Sequence, residues 1–385
     1  MRTHAAVLTV LLVVLSVVGA TPAGAAASAS GPAQVTQAEQ CSFPFTATDA
    51  TGTEVTVEEK PERVTTLMPS AAQTMWEIGG KEQVVGTTHF AHYLDGADSR
   101  TNVSASGMGV STEAVVGTNP DLVLAPDGTD PDTVRALRDA GVTVFLFEET
   151  TSVEDVARDT TLTGKLTGNC AGAAEANAWM EANVDAAAEA TADAERTRAI
   201  YPLGGGFVVG DETFIHNVIV ASGGTNVVAE AGLSGYPEMS DETVVELEPE
   251  VVVVTDYTGR AIVESEPYAS TPAGEENRTV MIDRNLLNQP APRSVVFAVR
   301  NLTAGFHPDA AESADWTARS EVRVEGGAGS GGSESAEETD ASGGTADDAG
   351  ADGDAGTETG TQLPGLGVVA AVVALVATAL LARRR

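Results

Sequence analysis

Residues 111–127 and 240–256 are two copies of one pattern, and that duplication limits the folds open to this chain more than any other feature of its 385 residues. Ser-Thr-Glu-Ala-Val-Val-Gly-Thr-Asn-Pro-Asp-Leu-Val-Leu-Ala-Pro-Asp lines up with Ser-Asp-Glu-Thr-Val-Val-Glu-Leu-Glu-Pro-Glu-Val-Val-Val-Val-Thr-Asp. Seven of seventeen positions are identical at a constant offset of 129. In each copy a serine caps a short helix, a Pro-acid pair turns the chain, and an apolar run forms a strand buried on both faces. Two related α/β lobes follow. The ends of their sheets bound a cleft of the kind in which α/β folds hold ligands.

The rest of the body obeys the same alternation. Strands are expected at 63–67, 83–87, 121–125 and 143–147, with helices at 70–78, 112–117 and 131–140 between them, which makes 41–150 an N-terminal lobe. From 151 to 195 no strand pattern occurs. Ser152 and Asp155 approximate a capping box, and 170–195 is rich in Ala, Glu and Asn with Gly172 the one interruption, so this segment is a helical connector dominated by one long helix. Alternation resumes over 196–320, with strands at 197–202, 207–209, 250–255 and 279–283 and helices at 213–222 and 241–247. The last helix, 292–305, has Val295, Val299, Leu302 and Phe306 on one stripe.

The ends carry other signals. Residues 1–26 hold Arg2 and His4, an apolar run and then small residues, the pattern of a secretory signal peptide. Residues 325–362 contain ten carboxylates and no Lys or Arg, and have too little apolar surface to offset the entropy of ordering, so a disordered acidic linker is expected. Residues 363–382 are uncharged and precede Arg383, Arg384 and Arg385, which is long enough to span a bilayer with the arginines on the cytoplasmic side. The body is therefore expected at the extracellular face of the membrane, anchored at its C-terminus.

A net charge of −35 and a pI near 4.2 exclude nucleic acid as a partner, because nothing basic is available to neutralise phosphates. The basic residues are arginines apart from Lys60, Lys81 and Lys165, the acidic and Lys-poor composition of proteins that work in high salt. Outside the cytoplasm Cys41 and Cys170 have two readings, a disulfide or two buried thiols, with the disulfide favoured. Asn102-Val-Ser, Asn277-Arg-Thr and Asn301-Leu-Thr fit glycosylation acceptors.

Catalytic patterns are missing. There is no Gly-x-Ser-x-Gly, paired-cysteine motif, phosphate loop or His-Glu-x-x-His, so the chain is not expected to be an enzyme. The one polar-aromatic cluster is His89, Phe90, His92 and Tyr93, after the 83–87 strand. Phe90 and Tyr93 suit a cleft wall, with Tyr236 facing them from the other lobe. His89 and His92 could instead share a metal, with His216 or a carboxylate completing the set. Glu113 and Glu242, third in their repeat copies, suit the positive ends of their helices and also docking to a two-fold partner.

Several motifs carry a family resemblance: Arg63-Val-Thr-Thr-Leu-Met-Pro-Ser70, Gln83-Val-Val-Gly86, Asn119-Pro-Asp-Leu-Val-Leu124, Leu137-Arg-Asp-Ala-Gly-Val-Thr-Val144, Ser222-Gly-Gly-Thr-Asn226, Met239-Ser-Asp-Glu242 and Ala291-Pro-Arg293. In order and spacing the body resembles the cobalamin and iron-siderophore substrate-binding proteins of ABC importers over nearly all of 61–308. The resemblance implies two α/β, Rossmann-like lobes joined by a rigid helix, with little hinge closure. It places permease-docking glutamates at Glu113 and Glu242, cleft aromatics at Phe90 and Tyr236, and a ligand-lining loop at Asn285, Leu286, Leu287, Asn288 and Gln289. It implies a monomer with no resident cofactor. Two departures stand out: an aromatic expected shortly before Glu113 is Gly107, and the 285–289 loop is aliphatic and amide. The C-terminal end resembles the archaeal PGF-CTERM sorting signal, with Leu366 where Phe is usual, which implies exchange of the anchor for a lipid. The expected cargo is a corrinoid, with a ferric siderophore or haem, or a free zinc or manganese ion held through His89 and His92, as alternatives.

Overall fold

The structure is a computed structural model describing residues 34–35, 41–107 and 109–324, all within one compact unit of the chain, 33–385. The expected signal peptide (1–26), acidic linker (325–362) and apolar terminal segment (363–385) lie outside the described residues.

Two parallel sheets form the body. The first has five strands in the order Thr101–Asn102, Val84–Thr87, Val64–Thr66, Leu122–Ala125 and Val144–Leu146. The second has four, in the order Gly224–Asn226, Thr197–Ile200, Val251–Val254 and Thr279–Met281. The repeated strand occupies the same place in both, between the lobe's first strand and its last. Its side chains alternate between two cores: Leu122 and Leu124 on one face with Val123 and Ala125 on the other, then Val251 and Val253 against Val252 and Val254. Both faces of each sheet are covered, which is why neither run shows polar alternation.

The repeat extends beyond its seventeen residues. Arg63 donates from Nε to the Asn119 carbonyl (2.8 Å) and from Nη2 to the Thr118 carbonyl, while the Asp121 carboxylate accepts the Arg63 backbone N–H at 2.9 Å. In the second lobe Arg198 donates to the Leu247 carbonyl at 2.8 Å, and the Glu250 carboxylate accepts the Arg198 backbone N–H at 3.0 Å. Each arginine ties its lobe's first strand to the Pro-acid turn.

Helices α1 (Pro69–Glu77), α2 (Thr112–Gly117) and α3 (Pro131–Asp139) cover the first sheet. The connector is a helical hairpin of α4 (Val153–Thr167) and α5 (Cys170–Ala190). The Ser152–Asp155 capping box is formed, and Gly168, at φ 74°, supplies the left-handed cap between the two helices. The long helix ends at Ala190 rather than 195, where the chain turns toward the Thr197–Ile200 strand. Its N-terminal Ala173 and Ala176 pack in the first lobe's core, and Trp179, Met180 and Ala187 in the second's, so one helix belongs to both. Gly172 is where α5 crosses the end of α1: a Cβ there would lie 2.1 Å from the Ile78 carbonyl oxygen. Cys41 and Cys170 are bonded, tying the start of the body to the first turn of α5.

In the second lobe α6 (Phe214–Ala221), α7 (Asp241–Glu246) and α8 (Pro292–Phe306) follow, and all four stripe residues of α8 are buried. Phe207–Val208 pairs with Pro202–Gly204 as a small antiparallel ribbon outside the main sheet, whereas Gly224–Asn226, outside every expected strand, is an edge strand within it. The Phe45–Thr48 and Glu54–Val57 hairpin packs beside the first lobe through Asp49, whose buried carboxylate accepts from Thr51, Thr53 and Arg138. Burial pushes that carboxyl up, but the hydrogen bonds outweigh it and hold the pKa below the ordinary value. Gln34–Val35 runs parallel to Arg323–Val324, so the two ends of the body meet.

Candidate functional site

The lobes meet where α1 packs against α8, and polar side chains close the junction. Gln73, fully buried, accepts from the Ser294 backbone N–H and hydroxyl, both at 3.0 Å, and donates to the Tyr93 hydroxyl at 2.8 Å. Glu77 pairs with Arg293, and Arg319 reaches the Glu77 carbonyl at 3.4 Å. Asn217 of α6 donates to the Thr151 carbonyl at the entrance to the connector, 2.9 Å away.

Side chains from both lobes lie beside this junction. The segment carrying His89, Phe90, His92 and Tyr93 is held to α1 by a small cluster of Ala72, Ala91, Leu94 and Ala97, and by the Trp76 indole donating to the Asp95 carbonyl. Burial pushes the Tyr93 phenol up to about 12, helped slightly by Asp283 of the opposite lobe and by Glu77. Tyr236 of the second lobe is 39% exposed, yet loss of surrounding solvent raises its pKa too, followed by Glu149 at the end of the first lobe and by Tyr201. Tyr201 donates to Asn288 of the 285–289 loop at 3.3 Å.

Tyr93 thus reaches the junction through Gln73, Tyr236 and Asn288 adjoin Tyr201, and the Asn285 carbonyl lies 3.4 Å from the Ser294 hydroxyl. Phe90, 39% exposed, stacks its ring 3.9 Å from that of His89, and Leu286 and Gln289 are partly buried in the loop. Leu287 departs from expectation. It is fully buried in the second lobe's core and supports the Arg284–Leu287 turn from behind instead of facing a ligand. Tyr201, Gln73, Ser294, Glu149 and Asp283 were not singled out from sequence. Tyr201 directly follows a strand, and Gln73 and Ser294 lie on apolar helix faces, so nothing local marks them.

The histidines do not converge. His89 Nδ1 lies 2.8 Å from Ser104 Oγ, His92 Nδ1 lies 3.3 Å from Asp98, and the two ring centroids are 6.5 Å apart. His216 sits on α6, paired at 3.3 Å with Asp211. Among the described residues no three His, Cys, Asp or Glu side chains are arranged to hold a metal.

Glu113 and Glu242 occupy equivalent first-turn positions of α2 and α7 and are exposed. Their helices are capped alike, Ser111 accepting from the Ala114 N–H and Ser240 from the Thr243 N–H, each at 3.2 Å. No helix among the described residues is long and apolar enough to cross a membrane.

The family described as Periplasmic binding protein matches residues 64–286. A cobalamin-binding protein of Halobacterium salinarum is 43% identical over 311 residues, covering 78% of this chain and 84% of that protein. An uncharacterized ABC transporter substrate-binding lipoprotein of Bacillus subtilis, YvrC, is 26% identical over 277 residues, covering 69% of this chain and 87% of its own length. The solved periplasmic heme-binding protein RhuT from Roseiflexus sp. RS-1 shares the fold, with a TM-score of 0.58 at 24% identity over 65% of this chain and 99% of its own. With more than half of the chain inside the matched span, the chain belongs to the periplasmic binding protein family.

Proposed function

We propose that this chain is the binding component of an ABC importer that captures a corrinoid outside the cell and delivers it to a permease dimer. The observation that carries the reading is the 43% identity, across both lobes, to a protein named for binding cobalamin. The chemistry of the cleft supports it. Tyr93, Tyr236 and Phe90 offer flat apolar faces, and Asn285, Asn288 and Gln289 offer amides, which suit a large planar ring edged with neutral amide groups. Anionic cargo fits less well. Asp283 and Glu149 border the tyrosines, while the neighbouring arginines are occupied: Arg293 by Glu77, and Arg284 by Asp256 at 3.4 Å. Haem propionates or an anionic ferric siderophore would meet carboxylates there, at a cost set by the low local dielectric.

In this reading Glu113 and Glu242 dock the loaded monomer on basic residues of the permease, and the 363–385 segment, cleaved and lipidated or intact, tethers it through the 325–362 linker. The protein needs no resident cofactor and performs no catalysis.

A thermal-shift panel in concentrated salt tests the ligand. Cyanocobalamin at 100 times its Kd should add about 2.7 kcal/mol to the stability of the full chain. Stabilisation by haemin, a ferric hydroxamate or zinc, with none from cyanocobalamin, overturns the corrinoid reading.

A further inference from the structure

The junction between the lobes determines which way one hydroxyl proton points. An amide side chain can be placed with its oxygen and nitrogen exchanged, but a backbone N–H is a donor and nothing else. The Ser294 N–H lies 3.0 Å from one terminal atom of Gln73, so that atom is the oxygen. The other terminal atom, 2.8 Å from the Tyr93 hydroxyl, is then the NH2 group, and the phenol oxygen accepts from it. Tyr93 is left with its own proton to give, and no hydrogen bond to a described residue takes it. Asp283, a carboxylate of the opposite lobe that acts electrostatically on the phenol, has one oxygen 2.8 Å from the Asn285 N–H and no hydrogen bond to Tyr93.

We propose that Gln73 and Ser294 hold Tyr93 as a hydrogen-bond donor to the ligand, and that this donor selects ligands presenting a neutral acceptor oxygen. A ligand carboxylate would accept equally well in isolation, but beside Asp283 it meets like charge. A ligand ammonium, which can only donate, finds the phenol oxygen already engaged by Gln73, whereas a ligand hydroxyl can still accept the phenol's proton. Gln73 and Ser294 are positioning residues, one from each lobe, so the donor is aimed only when both lobes are in place. The inference rests on the corrinoid reading for the identity of the acceptor, a peripheral amide carbonyl. The donor assignment stands apart from it.

Two measurements separate the parts. Ultraviolet resonance Raman spectra of the ligand-free full chain, wild type minus Tyr93→Phe, isolate the paired ring bands whose intensity ratio distinguishes an accepting phenol from a donating one. A ratio that includes acceptance is expected, whether or not a water takes the phenol's proton, and the ratio of a phenol that only donates, as it would to Asp283, overturns the proposal. This arm needs only wild type and a near-isosteric variant. The second is cyanocobalamin affinity in a double-mutant cycle. Tyr93→Phe should raise Kd about 10-fold, as expected for loss of one buried hydrogen bond. Gln73→Glu, whose carboxylate accepts from both Ser294 and Tyr93, should cost about the same alone and less than about 2-fold on the Tyr93→Phe background. Gln73→Met replaces it where the buried carboxylate prevents folding. Additive losses overturn the proposal, because Gln73 would then act only on packing. If wild type does not bind cyanocobalamin, the corrinoid reading falls and the Raman ratio still decides the donor.

Discussion

Asn119 and Glu248 stand at the same step of the repeat, each just before its proline, with φ of 47° and 46°. Left-handed backbone is rare for residues with a Cβ, and Asn accepts it more readily than Glu. That both copies keep it shows how tightly the Pro-acid turn is held, by Arg63 in one lobe and Arg198 in the other. Those arginines were not legible as a pair, because they fall outside the constant spacing of 129, while Ser111, Glu113 and their counterparts were. A second residue-scale consequence concerns His216. Burial keeps its pKa below the ordinary histidine value, opposed by Asp211, and its Nδ1 is buried with no partner. A depressed histidine is neutral in the folded chain where the unfolded chain is already protonated. Stability is therefore fully present above the unfolded pKa of about 6.5, and is lost as pH falls through that value toward the folded one. Denaturation midpoints measured in constant high salt should drop on acidification over that window, and His216→Gln should flatten that part of the curve. An unchanged slope in the variant would place the sensitivity elsewhere.

Among the elements, α5 does the most with the least sequence signal. Its alanine-rich composition marks a helix, and no property of the string tells that Ala173 faces one core and Met180 another. Gly172 was visible only as an interruption, whereas in three dimensions it is the contact that lets α5 approach α1. Gly172→Ala therefore sets helix propensity, which favours alanine by about 1 kcal/mol, against a Cβ 2.1 Å from the Ile78 carbonyl. The clash should win, with a net loss of about 1–3 kcal/mol by chemical denaturation. A stabilised variant would show that the two helices part without cost. Periodicity located the buried strands within a residue or two. It missed Gly224–Asn226 and Thr101–Asn102, since two or three residues at a sheet edge carry no period, and their small polar side chains resemble a turn.

At the scale of the whole molecule, the duplicated half, the connector and the two equivalent glutamates were legible, because each leaves a mark on the string. The proposed wall of the cleft was only partly so. Phe90, Tyr93 and Tyr236 could be named, but Tyr201, Gln73 and Ser294 acquire their places from contacts between segments up to 221 positions apart. Glu113→Lys with Glu242→Lys should leave cyanocobalamin affinity within about 2-fold and abolish uptake by whole cells, since both side chains are exposed and lie on helices outside the cleft wall. Undiminished uptake would remove the docking role.

The halves are braced to each other by Gln73 and Ser294, by Glu77 and Arg293, by Asn217 and Thr151, and by a helix rooted in both interiors. Those contacts would have to break before the halves could swing apart. If a transporter grips the two carboxylates as proposed, a body braced in this way would present them at one spacing, laden or vacant, and word of the cargo would have to come from the cargo.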